Sequence, residues 1–372
     1  MQLSSPPGSL RSSPQLGRLA TLAVVLAGVC GLGTGAALGD KPSPVGIKPE
    51  AITVQAHPIT AFDKADPERT RFGKLTWRGG LVLTSSSPNF GGWSGLAMDP
   101  YGKQFLSVSD AGTWMSGTID HAADGRPTGI SSARLGPLLG LNGKTLTRGR
   151  DRDAESVALA SGTIAKGDVL ISFERHHRIG RFGIGPKGVT APTGYIPLPP
   201  TADGMSKNGG LEAIEVLKGG PYKGSLVAIS EALRDRHGNH QGWLWVDGKP
   251  KSFTITNDGD FDVTDAAALP DGSLLVLERR FRWSEGVKAR LRLIRKGELK
   301  PGARIIGETL LRADLNYEID NMEGLGVNVG AGGEIIVTMI SDNNFNPVLQ
   351  RTVLLQFALD GAVLASASGT TP

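Results

Sequence analysis

Short apolar runs bounded by turn residues recur along most of the chain. The clearest are residues 105–108, 169–173, 225–229, 274–277 and 335–339. Sustained 3.6-residue periodicity is hard to find. Runs of this kind at regular intervals predict an all-β sandwich, barrel or propeller.

The runs belong to a larger repeat. Five segments share a polar residue, a short strand, a turn, a more apolar strand and a second polar residue. They open at Ser94, Glu155, Glu212, Asp265 and Glu323 and close at Asp110, Glu174, Glu231, Glu278 and Asp342. Successive openings lie 61, 57, 53 and 58 residues apart, the length of a four-stranded blade with its loops. The midpoint of each copy falls on or beside its turn, and positions symmetric about a hairpin turn face each other. Each copy therefore sets two polar groups side by side at one end. Outer strands follow at 178–184, 242–246 and 290–294. The last copy has one further strand, 352–358, and its missing fourth is expected from residues 74–83, closing the ring and hiding its open edge. The expectation is a β-propeller of four-stranded blades over residues 74–372. Five blades are countable, and residues 50–92 leave room for a sixth.

Composition agrees. Glycine, 52 of 372 residues, is at about twice its usual share of about 7%, which suits a chain dense in turns. At the front, residues 1–18 are polar with Arg11 and Arg18 and no acid, residues 19–32 are apolar, and Ala36-Ala-Leu-Gly39 offers small residues for cleavage. That order predicts a secretory signal peptide over 1–39, an extension over 40–73, and an exported protein, periplasmic or secreted. The apolar run is shorter than the about 20 residues of a comfortable spanning helix, so no stable membrane insertion is expected after cleavage. Cys30 is the sole cysteine, so the cleaved protein is expected to lack disulfides. Removing 1–39 takes away two arginines and no acid, lowering the net charge from +4 to +2. Nucleic acid gains no electrostatic footing from so weak a bias. The oligomeric state stays open.

In a propeller the first strand of each blade lines the axis, so the ten repeat positions converge on one mouth. Nine are carboxylates: Asp110, Glu155, Glu174, Glu212, Glu231, Asp265, Glu278, Glu323 and Asp342. So many anions need a partner. A hard divalent cation with oxygen ligands, Ca2+ above all, is one answer. Pairing with Arg152, Arg175, Arg279 and Arg280 is the other. Zinc is disfavoured, because there is no HExxH and no cysteine set. Arg175, His176, Arg279 and Arg280 beside the acids, and Lys207 ahead of Glu212, suit a phosphate shared with a metal. Ser94 lacks the second glycine of a G-x-S-x-G elbow.

Several motifs resemble one family. Asp153-Ala-Glu-Ser-Val157, Ile171-Ser-Phe-Glu-Arg175, Asn208-Gly-Gly-Leu-Glu-Ala-Ile214, Leu277-Glu-Arg-Arg-Phe281, and Asn321-Met-Glu-Gly-Leu325 with Ile340-Ser-Asp-Asn343 are similar to the phytase-like domain of bacterial exported proteins, described as esterase-like activity of phytase. The resemblance covers roughly residues 78–360. It implies a propeller, calcium dependence and phosphoester hydrolysis. Three readings follow. The first is a Ca2+-dependent hydrolase of phosphoesters or related esters, acting on a small molecule with Glu212 or Glu323 as base. The second is a non-catalytic ligand-binding propeller with structural calcium. The third is another propeller enzyme, such as a lactonase or a quinone-dependent sugar dehydrogenase.

Overall fold

The computed structural model describes residues 1–2 and 41–362, so the expected signal peptide, with Cys30, lies outside the described residues apart from its first two. Residues 41–362 belong to one compact unit of five antiparallel blades. Blade 1 runs outward from Trp93–Met98 through Gln104–Ser109 and Thr113–His121 to Pro127–Pro137. Blade 2 takes Ala154–Gly162, Gly167–Phe173, Arg178–Gly185 and Gly188–Ile196 in the same order. Blade 3 takes Leu211–Val216, Leu226–Arg234, His240–Val246 and Lys249–Ile255, and blade 4 takes Asp262–Ala268, Leu274–Arg282, Gly286–Ile294 and Glu308–Ala313. Blade 5 has Met322–Val329, Ile335–Ser341 and Thr352–Leu359, and its fourth strand is Leu75–Thr84 from the other end of the chain. The five first strands touch one another around a ring. The protein is a five-bladed β-propeller, closed by the strand expected from residues 74–83.

Residues 50–92 build no sixth blade. Glu50–Ala51 adds to the outer strand of blade 1, and Gln55–Ile59 adds to Leu75–Thr84 in blade 5. The segment thus clasps the closing seam a second time, and the extension expected over 40–73 is part of the propeller unit. Helical elements are short, Gly149–Arg152 and the 3-10 turn Pro200–Gly204. Among the described residues no helix is long and apolar enough to cross a membrane.

The runs are apolar throughout because each inner strand is covered on both faces. Successive side chains point to opposite faces, so Leu96 joins the core between blades 5 and 1 while Ala97 joins the core between blades 1 and 2. Ile214 and Ala213, and Ala267 and Ala266, divide in the same way. Every seam carries its own apolar core, and the axis is left to polar groups.

Candidate metal centre at the propeller mouth

The mouth is shaped by a β-bulge near the start of each first strand. In blades 1, 2, 3 and 5 the register shifts around Ser94, Glu155, Glu212 and Glu323. A bulged residue has no partner opposite, and its side chain is re-aimed. In blade 4 the shift falls around Thr264 instead. The residue before each bulge (Trp93, Ala154, Leu211, Val263 or Met322) pairs with Ser109, Phe173, Ser230, Glu278 or Ser341. Blade 4 is therefore one residue out of step with the acid spacing. Thr264 and Arg279 take its mouth positions, and Asp265 and Glu278 lie one residue deeper.

Both displaced acids are satisfied by protein. Asp265 enters the axis at the level where the other blades carry Gly95, Ser156, Ala213 and Gly324. A Cβ on Gly95 would stand 2.7 Å from the Ser156 Cα, and one on Gly324 would stand 3.1 Å from the Leu96 Cβ, so the axis has little room for side chains. The Asp265 carboxylate accepts hydrogen bonds from Leu96 N at 3.3 Å, Leu325 N at 2.7 Å, Ala266 N at 2.9 Å and Ser156 Oγ at 2.8 Å. Ser156 Oγ accepts in turn from Ile214 N at 3.1 Å. One carboxylate and one hydroxyl thereby link all five blades. Burial pushes the Asp265 carboxyl well up, and the four donors pull the other way. Glu278, fully buried, accepts from Arg290 Nε at 2.6 Å and Nη2 at 3.0 Å, and pairs with Arg292.

Asp110, Glu155, Glu174, Glu212, Glu231, Glu323 and Asp342 remain at the mouth, joined by Asp153. Five of these eight form two groups, Asp153–Glu155–Glu174 and Glu174–Glu212–Glu231, each with its ligand atoms within 4.8 Å of one another and both sharing Glu174. Glu155 and Glu212 are 9% and 8% exposed, and neither makes a hydrogen bond or ion pair among the described residues. Glu174 accepts from Gly209 N. Burial, reinforced by the neighbouring acids, pushes Glu155 and Glu212 well up. Burial also lifts Glu231 to about 7, although Arg279 opposes it. Asp110 Oδ1 is buried without a partner. Gly92, at φ +67, lies so close that a Cβ there would stand 2.4 Å from this oxygen.

Arg279 and Lys41 face this ring from opposite sides. In blade 4, Arg279 Nη1 lies 3.1 Å from Glu323 Oε1, and Nη2 lies 3.7 Å from Glu231 Oε1. Its Nη1 also donates to Asn321 Oδ1 at 2.6 Å. Across the mouth, Lys41 Nζ lies 2.8 Å from Asp110 Oδ2 and 3.2 Å from Asp153 Oδ1. The remaining basic candidates scatter. Arg175 reaches the ring through Asp153, with Nε 2.6 Å from Oδ2. His176 pairs with Asp151 at 3.0 Å, Lys207 is exposed in a loop, and Arg280 turns to Glu285 and the Gly259 carbonyl.

Sequence reasoning missed Asp153, Lys41 and Thr264. Asp153 lies two residues ahead of Glu155, just before the strand Ala154–Gly162. Val263 stands where Leu211 and Met322 stand, and aligning on it places Thr264 at the mouth. Lys41, alone in a proline-rich stretch, carries no local signal.

A set of carboxylates alone, two of them nine-tenths buried and unpartnered, fits a hard divalent cation such as Ca2+. No histidine or cysteine joins either group, which suits zinc poorly. A family model described as Phytase-like, esterase-like activity of phytase, matches residues 88–345. No curated protein matches. Among solved structures, a humanized mutant of the Chaetomium thermophilum Polycomb Repressive Complex 2 bound to the inhibitor GSK126 aligns at TM-score 0.34 and 9% identity, covering 72% of this chain and 54% of that one. So distant a likeness carries no argument.

Proposed function

The chain belongs to the phytase-like family, esterase-like activity of phytase, and from that premise we propose that its acidic mouth binds calcium and hydrolyses phosphoesters or related esters of small molecules. One observation carries the reading: Glu155 and Glu212 are buried and unpartnered within two carboxylate groups that share Glu174. Burying unpaired acids costs several kcal/mol per ion, and a bound cation offsets that cost. Asp153, Glu155, Glu174, Glu212 and Glu231 would hold calcium, which supplies charge neutralisation and polarisation of a phosphoryl or carbonyl oxygen.

The other roles fall to residues outside the two groups. Arg279, fixed by Glu323 and Asn321, presents its guanidinium edge to a phosphoryl oxygen. Glu323 acts as the base. Burial raises its pKa, while Arg279 and the Asn321 amide oppose that shift and favour the ionised form that accepts a proton from the attacking water. We also read the protein as exported, from the polar, apolar and small-residue order of residues 1–39.

A second reading, a non-catalytic propeller with structural calcium, is favoured by Lys41 and Arg279, which already neutralise part of the ring. Hydrolysis of phosphomonoesters, phosphodiesters and carboxylic esters, with calcium and with chelator, decides between them. The hydrolase reading expects calcium-dependent turnover that Glu212→Gln abolishes and that Glu323→Gln lowers by about 10²–10⁴-fold. Tight calcium binding without turnover of any ester class selects the second reading.

A further inference from the structure

Lys41 occupies the place of a cation. Its ammonium lies between Asp110 and Asp153. Asp153 also belongs to the carboxylate group Asp153–Glu155–Glu174. Arg175 holds the other Asp153 oxygen, with Nε 2.6 Å from Oδ2, so Lys41 and a divalent ion contend for Oδ1. The other group, Glu174–Glu212–Glu231, contains no acid that Lys41 contacts.

Arg279 and Lys41 are anchored very differently. Arg279 projects from the strand Leu274–Arg282. Lys41 lies in a proline-rich segment whose first ladder pairing comes only at Glu50–Ala51. Its main chain is tied down by Arg152, whose Nη1 donates to Pro42 O at 3.0 Å and Nη2 to Lys41 O at 3.4 Å. About a third of the lysine side chain is open to solvent. Glu155, beside it, is nine-tenths buried and has no partner of its own.

We propose that Asp153, Glu155 and the shared Glu174, flanked by Asp110, form a second divalent-cation site that the chain's own lysine keeps closed. With the 41–48 arm docked, the mouth takes one ion at Glu174–Glu212–Glu231. With the arm withdrawn, it takes a second, and Glu174 bridges the pair. The proposal rests on the calcium reading above and adds a gate to it. Rising calcium displaces the ammonium, and the arm reports how many ions the mouth holds.

Calorimetric titration of the full chain with calcium tests this. Wild type is expected to show one tight site. Lys41→Met keeps the apolar stem and removes the charge, so it is expected to show a second site at least tenfold tighter than any weak one in wild type. Lys41→Arg should behave as wild type, and Glu155→Gln added to Lys41→Met should remove the second site. Equal stoichiometry and affinities in wild type and Lys41→Met overturn the gate and leave the calcium reading standing, whereas no binding in either overturns both. Hydrogen exchange needs no variant: saturating calcium should speed exchange of the amides of residues 45–48. Unchanged or slower exchange there overturns the gate.

Discussion

Blades 3 and 4 are neighbours that read alike in sequence, each with an acid opening its first strand and an acid closing its second. Their acids do opposite work. Blade 3 leaves Glu212 unpartnered and gives Glu231 one long contact, 3.7 Å, with the Arg279 of blade 4. Blade 4 leaves neither acid wanting: Asp265 has four donors and Glu278 has two arginines. One residue of register separates these outcomes. Unpaired buried charge destabilises a fold and paired charge is roughly neutral, so an acid's partners mark its role more reliably than its spacing.

The contrast is sharpest in stability. Glu278→Gln removes the buried counter-charge of Arg290, 1% exposed, and Arg292, leaving Arg290 only the exposed Asp258 at 3.5 Å. It should cost about 3–5 kcal/mol in urea unfolding. Glu212→Gln in chelator should leave the unfolding midpoint unchanged or higher. Equal losses at the two positions would erase the distinction between the blades.

Acidity gives the next test. Burial lifts the Glu231 carboxyl to about 7 in the fold, well above the usual carboxylate range. Between that range and about 7 the folded state keeps a proton that the unfolded state has released, so metal-free stability falls as pH rises through the interval. At about 1.36 kcal/mol per pKa unit the charged form costs about 3 kcal/mol above pH 7. In chelator, Glu231→Gln should match wild type near the bottom of the interval and exceed it by that amount above the top. A difference that stays constant across the interval would show that blade 3 does not hold its acid under strain.

The smallest effect belongs to the axis. Asp265→Asn turns an amide donor toward main-chain donors and should cost about 1–3 kcal/mol, with calcium affinity unchanged. Loss of calcium binding as well would mean that hub and mouth act as one unit.

The legible parts of the molecule were those in which one pattern repeats. Blade 5 lacked a fourth strand, so residues 74–83 were the natural closure. The bulge that blades 2, 3 and 5 share brought Glu155, Glu212 and Glu323 to one rim. Blade 4 escaped because counting acids treats spacing as rigid, whereas a β-bulge moves the mouth by one residue. Strand parity separates Arg279 from Arg280, since adjacent residues face opposite ways. Lys41 was out of reach, because its contacts depend on how the 41–59 segment docks across distant blades.

The doubly fastened seam between blades 5 and 1 governs when the protein becomes itself. Leu75–Thr84 pairs with Thr352–Leu359, and residues 50–59 bridge the two outer strands. The first of these fasteners joins stretches from opposite ends of the chain, so closure is a late event in folding, and non-local pairing of this kind is slow. Until that pairing forms, the ring is an open arc with bare strand edges, the stage most exposed to aggregation. Once shut, the ring opens only if both fasteners let go together, so its persistence is a matter of rate as much as of equilibrium.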